Sequence, residues 1–400
     1  MESNDILITG ARIWESQHDS VGPHAIPLRI RSGRILALGA DAVAMSPVAT
    51  TIDLPGRFLS PGLIDAHVHL ELDPCLATPA EQLAVAPRER VREMAARAQA
   101  MLARGITTAR DCGGGFFYEH DLRSQIDAGF RIGPRLLCCG QPLTTPGGHC
   151  AFWHGVVSSR AEIERVVARQ LERGSDWIKV MATGGVFTPG SRPRDTQFDA
   201  EALAAIVAAA RRGGRPVAAH CHGTAGIEAA LRAGVRTIEH ASFAGVDGFG
   251  TALDESLMRE LAEHEVWVSP TVNTGWLRRA SDGAGAPSDF FRRLSHCLGL
   301  QRSHGVRFIA STDAGIPGVF HHDLVGGLQA LQDYAGMRPV EVLRAATVDA
   351  AEALCLSHET GRIAPGLSAD LVVLRADPTI ELAALAEPEA VVFRGQWLRR

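Results

Sequence analysis

Two histidines separated by a single residue, His67-Val68-His69, close an aliphatic run. On an extended chain, residues i and i+2 point to one side, so both imidazoles face a single place. His220 and His222 repeat that spacing, His240 ends Thr237-Ile-Glu-His240, and Asp313 ends Phe308-Ile-Ala-Ser-Thr-Asp313. Imidazole nitrogens and a carboxylate are borderline-hard donors suited to Zn, Mn, Co or Ni, with zinc the commonest choice for hydrolysis. Each residue also has an ordinary reading. Asp313 could cap a helix, His240 could be a satisfied core histidine, and His222 could face solvent.

Composition nominates one more group. Of the 40 basic residues, only Lys179 is a lysine. A genomic preference for arginine codons explains the depletion elsewhere, but not why this position keeps an amine. Lys179 lies in Trp177-Ile-Lys-Val-Met181, an apolar stretch where a bare ammonium is costly. A guanidinium stays protonated, whereas an amine can lose its proton and act as a nucleophile. An uncharged lysine that takes up carbon dioxide becomes a carbamate, whose two oxygens can bridge two metals.

Bringing these groups to one place is a task for strand ends. Short apolar runs predict strands at Leu63–Ala66, Thr107–Ala109, Arg135–Cys139, Trp177–Met181, Val217–His220, Thr237–His240, Val266–Ser269 and Arg307–Ser311. Amphipathic stretches predict helices at Pro87–Arg104, Ala161–Arg173, Asp199–Arg212, Ala225–Ala233, Asp254–Glu263 and Phe290–His304. This α/β alternation of eight strands predicts a (β/α)8 TIM barrel over residues 61–360. A doubly wound sheet is the alternative, but its first unit should open with G-x-G-x-x-G, and here Pro61-Gly62 stands instead. Gly- and Pro-rich patches at 145–148, 183–193 and 282–287 follow the third, fourth and seventh strands, where a barrel keeps its functional loops. Strand-like runs at both ends predict one small β-sandwich assembled from residues 1–60 plus 361–400. In the barrel, the candidate groups all fall at C-terminal strand ends and converge on one mouth.

Composition narrows the partners. With 40 basic against 45 acidic residues the net charge is -5, and no arginine cluster interleaves with aromatics, so no nucleic-acid partner is expected. The opening Met1-Glu-Ser-Asn-Asp5 lacks the basic and apolar regions of a signal peptide, and no apolar run is long enough for a membrane span. The 8 cysteines show no C-x-x-C pairing, which argues against a disulfide framework. A cytoplasmic protein with no membrane partner is expected.

Pro61-Gly-Leu-Ile-Asp-Ala-His-Val-His69 resembles the first-strand signature of the amidohydrolase superfamily, and Ile363-Ala-Pro-Gly-Leu-Ser-Ala-Asp-Leu-Val-Val373 resembles its return into the sandwich. Thr107-Thr-Ala-Arg-Asp111, Thr145-Pro-Gly-Gly-His149, Trp177-Ile-Lys-Val-Met-Ala-Thr-Gly-Gly185 and Thr237-Ile-Glu-His240 are similar to the imidazolonepropionase-like branch that contains Xaa-Pro and Xaa-Arg dipeptidases. The resemblance implies two divalent metal ions. His67, His69 and Asp313 would hold the more buried one, His220 and His240 the second, and carboxylated Lys179 would bridge both. It further implies that His222 and His149 contact substrate.

The implied activity is hydrolysis of a carboxamide or peptide C–N bond by hydroxide held between the metals, in a dipeptide, an N-acyl amino acid or an aryl amide. Asp313 would take and return the proton, while His222 and His149 would face the oxyanion or a substrate carboxylate. Phe152, Trp153, Val186, Phe187 and Trp276 could accept an acyl or aryl group, and Arg192, Arg194, Arg278 and Arg279 a carboxylate. Rival readings are another two-metal hydrolase (of a lactone, carbamate or phosphotriester), a mononuclear deaminase or cyclic-amidine hydrolase, and a binding protein on a retained fold. A deaminase needs an acid as proton shuttle; the candidates are Glu228, on a presumed helix, and Glu239, expected to point away from His240. An even-numbered homo-oligomer fits the resemblance; composition neither supports nor opposes it.

Overall fold

The run Leu63–Val68 is buried along its whole length, as a strand covered on both faces must be. In the computed structural model, which describes residues 5–45, 50–277 and 288–398, this strand opens a parallel barrel. Leu63–Val68 pairs with Ile106–Asp111, which pairs with Arg135–Cys138. A second parallel series runs through Ile178–Met181, Val217–Gly223, Thr237–Ala244, Trp267–Ser269 and Arg307–Phe308. Two seams join the series. At one, the Leu143 N–H donates to Lys179 O and the Met181 N–H to Leu143 O, both at 2.8 Å. At the other, the Ala66 N–H donates to Ala310 O at 3.0 Å and the Asp313 N–H to His67 O at 2.9 Å. The ring closes as a (β/α)8 barrel.

All the barrel strands and helices expected above are present, with boundaries that differ by a few residues. Side chains of Ser159, Asp199, Asp254 and Ser288 accept the backbone N–H that each helix start leaves free. Other helices carry weaker signals. Tyr118–Asp127 begins after Phe117 in the left-handed region, with no side-chain cap. Leu324–Ala335 contains Gly326-Gly327, poor helix formers. The second glycine has a packing reason, because a Cβ there would lie 2.6 Å from Val272 O.

Both ends of the chain enter one six-stranded sheet, ordered Gln396–Leu398, Ala390–Phe393, Leu371–Leu374, Phe58–Pro61, Arg12–Glu15 and Ser20–Val21. A four-stranded sheet of Arg34–Leu38, Leu28–Arg31, Asp5–Thr9 and Thr50–Asp53 shares its core, where Ile8, Leu28, Leu59, Leu371 and Val392 are fully buried. Asp5 forms a paired contact with the buried Arg29, at 2.7 and 2.8 Å. Among the described residues no helix is long and apolar enough to cross a membrane.

Candidate metal centre

The end of the first strand and the end of the eighth meet through Asp65. Its carboxylate accepts the Thr312 hydroxyl at 2.6 Å and the backbone N–H of His67 and Thr312, each at 3.2 Å. Burial pushes the Asp65 carboxyl up to about 7. This clasp sets His67 and His69 beside Asp313, which turns into the mouth with φ 60°. His67 Nε2 lies 3.3 Å from His69 Nε2, and each lies 3.4 Å from Asp313 Oδ1. The other ring nitrogens are engaged below: His69 Nδ1 with Gly113 O and His67 Nδ1 with Glu239 Oε2, both at 2.8 Å. Lys179 is fully buried, with Nζ 3.5 Å from His67 Nε2.

A second group adjoins the first, with the His67 and His240 rings 5.3 Å apart. His220, His222 and His240 offer ligand atoms that all lie within 4.8 Å of one another. His240 Nδ1 pairs with Thr271 Oγ1 at 2.8 Å, and His222 Nδ1 with Ser242 Oγ at 2.8 Å. His220 uses Nε2 instead, 3.0 Å from Gly184 O, which leaves its Nδ1. His149 comes from the loop after the third strand, its ring 4.7 Å from His220 and its buried Nδ1 without a partner. Burial, reinforced by neighbouring groups, pushes His222 down to about 3, and burial pushes His149 down to about 4. Neutral imidazoles are what metal ligation or hydrogen-bond donation requires. The ligand atoms of His67, His69 and Asp313 likewise lie within 4.8 Å of one another, so the donor sets fit divalent first-row ions. With Lys179 reaching the first group from the fourth strand, the structure brings together every residue expected from sequence to be a metal ligand.

Strand alternation misplaces one residue. Glu239 was expected to point away from the site, yet it sits beneath His67 inside the barrel. The reason is local: His240 has φ 70°, which breaks the alternation and lets consecutive side chains both reach the centre. Arg110 lies beside Glu239, its Nη2 donating to Oε1 at 2.7 Å. Burial raises the Glu239 carboxyl, but the Arg110 charge, the His67 hydrogen bond and the Lys179 charge together outweigh it and hold the group well below the usual carboxylate range. Nothing in the spacing marked Arg110 as part of the site. Glu228, the other acid weighed, is on an outer helix and pairs with Arg232 at 2.8 Å.

Above the histidines opens a cavity of about 460 Å³, lined by Trp153, Phe187, Phe249, Trp276 and Phe290 among others. Val186 stands at its rim, and Phe152 packs behind Trp153 and Phe187. Arg192 and Arg194 are not in the described lining. They turn to Asp195, 2.6 and 3.6 Å away, so the neighbouring carboxylate takes the charge that could have met a substrate carboxylate. Arg278 and Arg279 lie outside the described residues.

The Amidohydrolase family model matches residues 58–398. The chain is similar to the ochratoxinase of Aspergillus niger, at 29% identity over 372 residues covering 84% of this chain and 74% of the other. It is also similar to a prolidase solved with N-methylphosphonate-L-proline, at 27% identity and a TM-score of 0.85, covering 99% of this chain and 100% of that one. A Xaa-Pro dipeptidase solved with methionine in its active site shares the fold, with a TM-score of 0.87 at 24% identity over 99% of this chain and 100% of the other.

Proposed function

We propose that this chain, which belongs to the amidohydrolase family, hydrolyses the C–N bond of a small amide at a centre of two divalent cations. The observation that carries the reading is the adjacency of two histidine groups with the chain's only lysine buried against them. His67, His69 and Asp313 would hold one cation, His220 and His240 the other, and the carbamate of Lys179 would bridge them. Zinc fits this donor set. Bound there, the cations would polarise the carbonyl oxygen and make water a stronger acid.

The chain's own residues supply the rest. Asp313 is the carboxylate in the cavity lining, and it accepts a proton as water oxygen bonds to the carbonyl carbon. When the C–N bond breaks, the same proton goes to the departing nitrogen. His149 and His222, neutral and in the lining, donate to the oxygen that gains charge. Neither glutamate weighed as a deaminase-type shuttle is free: Glu239 is held by Arg110 and His67, and Glu228 by Arg232.

The aromatic walls favour an amide with an aryl or bulky aliphatic group, a class to which both the ochratoxinase and prolidase likenesses are relevant. The test is a rate profile of zinc-loaded protein across aryl amides, N-acyl amino acids, Xaa-Pro and Xaa-Arg dipeptides, lactones, phosphotriesters and amidines. Turnover of one of the amide series is expected. Turnover confined to the lactones, phosphotriesters or amidines would overturn the reading.

A further inference from the structure

We propose that Glu239, clamped by Arg110, is the positioning residue of the metal centre, fixing His67 as the tautomer that presents Nε2 to the cation. This rests on the reading above that His67 and His240 are ligands. Glu239 Oε2 takes His67 Nδ1 at 2.8 Å. Its other oxygen accepts from Arg110 Nη2 at 2.7 Å and from Thr237 Oγ1 at 2.5 Å. Arg110 in turn donates through Nε to Ala66 O at 2.7 Å and through Nη1 to Thr237 Oγ1 at 2.9 Å. Its guanidinium lies over the Trp177 ring, 4.5 Å from the centroid. Arg110, Glu239 and Thr237 are fully buried. The carboxylate has no freedom to rotate, so an imidazole bound to a cation above it keeps its proton on Nδ1 and offers its lone pair on Nε2.

The other ring nitrogens have plainer partners. His69 and His220 face backbone carbonyls, and His240 faces a hydroxyl that can donate or accept. Among these ligands only His67 has a carboxylate behind it. A buried ion pair is weak evidence for stability, because desolvation offsets most of the attraction. Its use here is geometric. Arg110 ties the first, second and sixth strands together, and Glu239 is joined by one peptide bond to His240. One clamp therefore orients a ligand of one proposed cation and lies one residue from a ligand of the other. Partners of this kind typically govern 10–100-fold in metal affinity.

The experiment measures zinc affinity of the full chain by competition with a chelator, for wild type and for Glu239→Gln. Glutamine keeps the size but has one acceptor oxygen. With that oxygen toward His67, its NH2 faces Arg110, donor against donor. With the amide turned over, the NH2 faces Nδ1 and selects the wrong tautomer. One of the two zinc equivalents is expected to weaken by about 10–100-fold. Adding Arg110→Met removes the conflicting donor and is expected to restore part of that loss. In nitrogen-15 histidine spectra of the zinc-loaded wild type, His67 is expected to carry its proton on Nδ1 and to bind through Nε2.

Two equivalents bound equally well by wild type and Glu239→Gln would overturn this proposal alone, as would a zinc-loaded wild-type His67 protonated on Nε2. If the variant fails to fold, as its circular dichroism would reveal, the wild-type spectrum decides. A wild type that binds no zinc would instead overturn the metal reading on which the proposal rests.

Discussion

Lys179 is the residue whose chemistry no other side chain can imitate. It is fully buried, 3.5 Å from His67, where a permanent positive charge would both lose its hydration and repel cations. Lys179→Arg is conservative by charge yet brings such a charge, so it is expected to lower turnover at least as much as Lys179→Ala, each by about a hundredfold or more. Alanine leaves a space that a short carboxylic acid can enter, so added propionate is expected to recover some activity in that variant and none in the arginine one. Asp313→Asn makes a separate point: it keeps the size but cannot accept a proton, so kcat is expected to fall more than metal content does. An asparagine variant with full kcat would remove Asp313 as the base. The i, i+2 histidines and the lone lysine were legible in sequence because spacing and rarity mark them. Arg110 and Glu239 were not, since their roles depend on a positive φ at His240 and on strands far apart in the chain. The Arg192 pairing was within reach, because Asp195 stands three residues away.

At the scale of elements, the small two-sheet unit carries its own acid-sensitive contact. The Arg29 guanidinium beside Asp5, assisted by Arg31 and opposed by burial, lowers the Asp5 carboxyl to about 2. The folded state thus binds fewer protons than the unfolded chain between about pH 4, the ordinary aspartate value, and about pH 2. The stability this pair contributes is present above that window and is lost as pH falls through it. Melting temperatures of wild type and Asp5→Asn are therefore expected to differ most near neutrality and to converge as pH falls from about 4 to about 2; a gap that stays constant would contradict the assignment. The elements themselves follow the periodicity well where one face is apolar, as in Arg160–Glu172 with Ile163, Val166 and Val167 buried. Leu324–Ala335 escaped because its glycines answer to a neighbouring strand end rather than to helix propensity.

For the whole molecule, the barrel was legible because most strands of the ring are short buried runs followed by a stretch with one polar face. Pairing between the two chain ends was legible only as composition, since the register of Leu371–Leu374 on Phe58–Pro61 depends on contacts more than three hundred residues apart. What the fold accomplishes is convergence: five strands deliver His67, His69, Lys179, His220, His240 and Asp313 to the floor of one aromatic cavity. The central claim is that this floor holds two cations bridged through Lys179. Anomalous diffraction at the zinc edge, on crystals of the active zinc-loaded protein, tests it most directly. The expected map has two peaks, one among His67, His69 and Asp313 and one at His220 and His240, with density for a carboxylated Lys179 reaching both. A single peak, or two peaks with an unmodified lysine in a fully active enzyme, would contradict it.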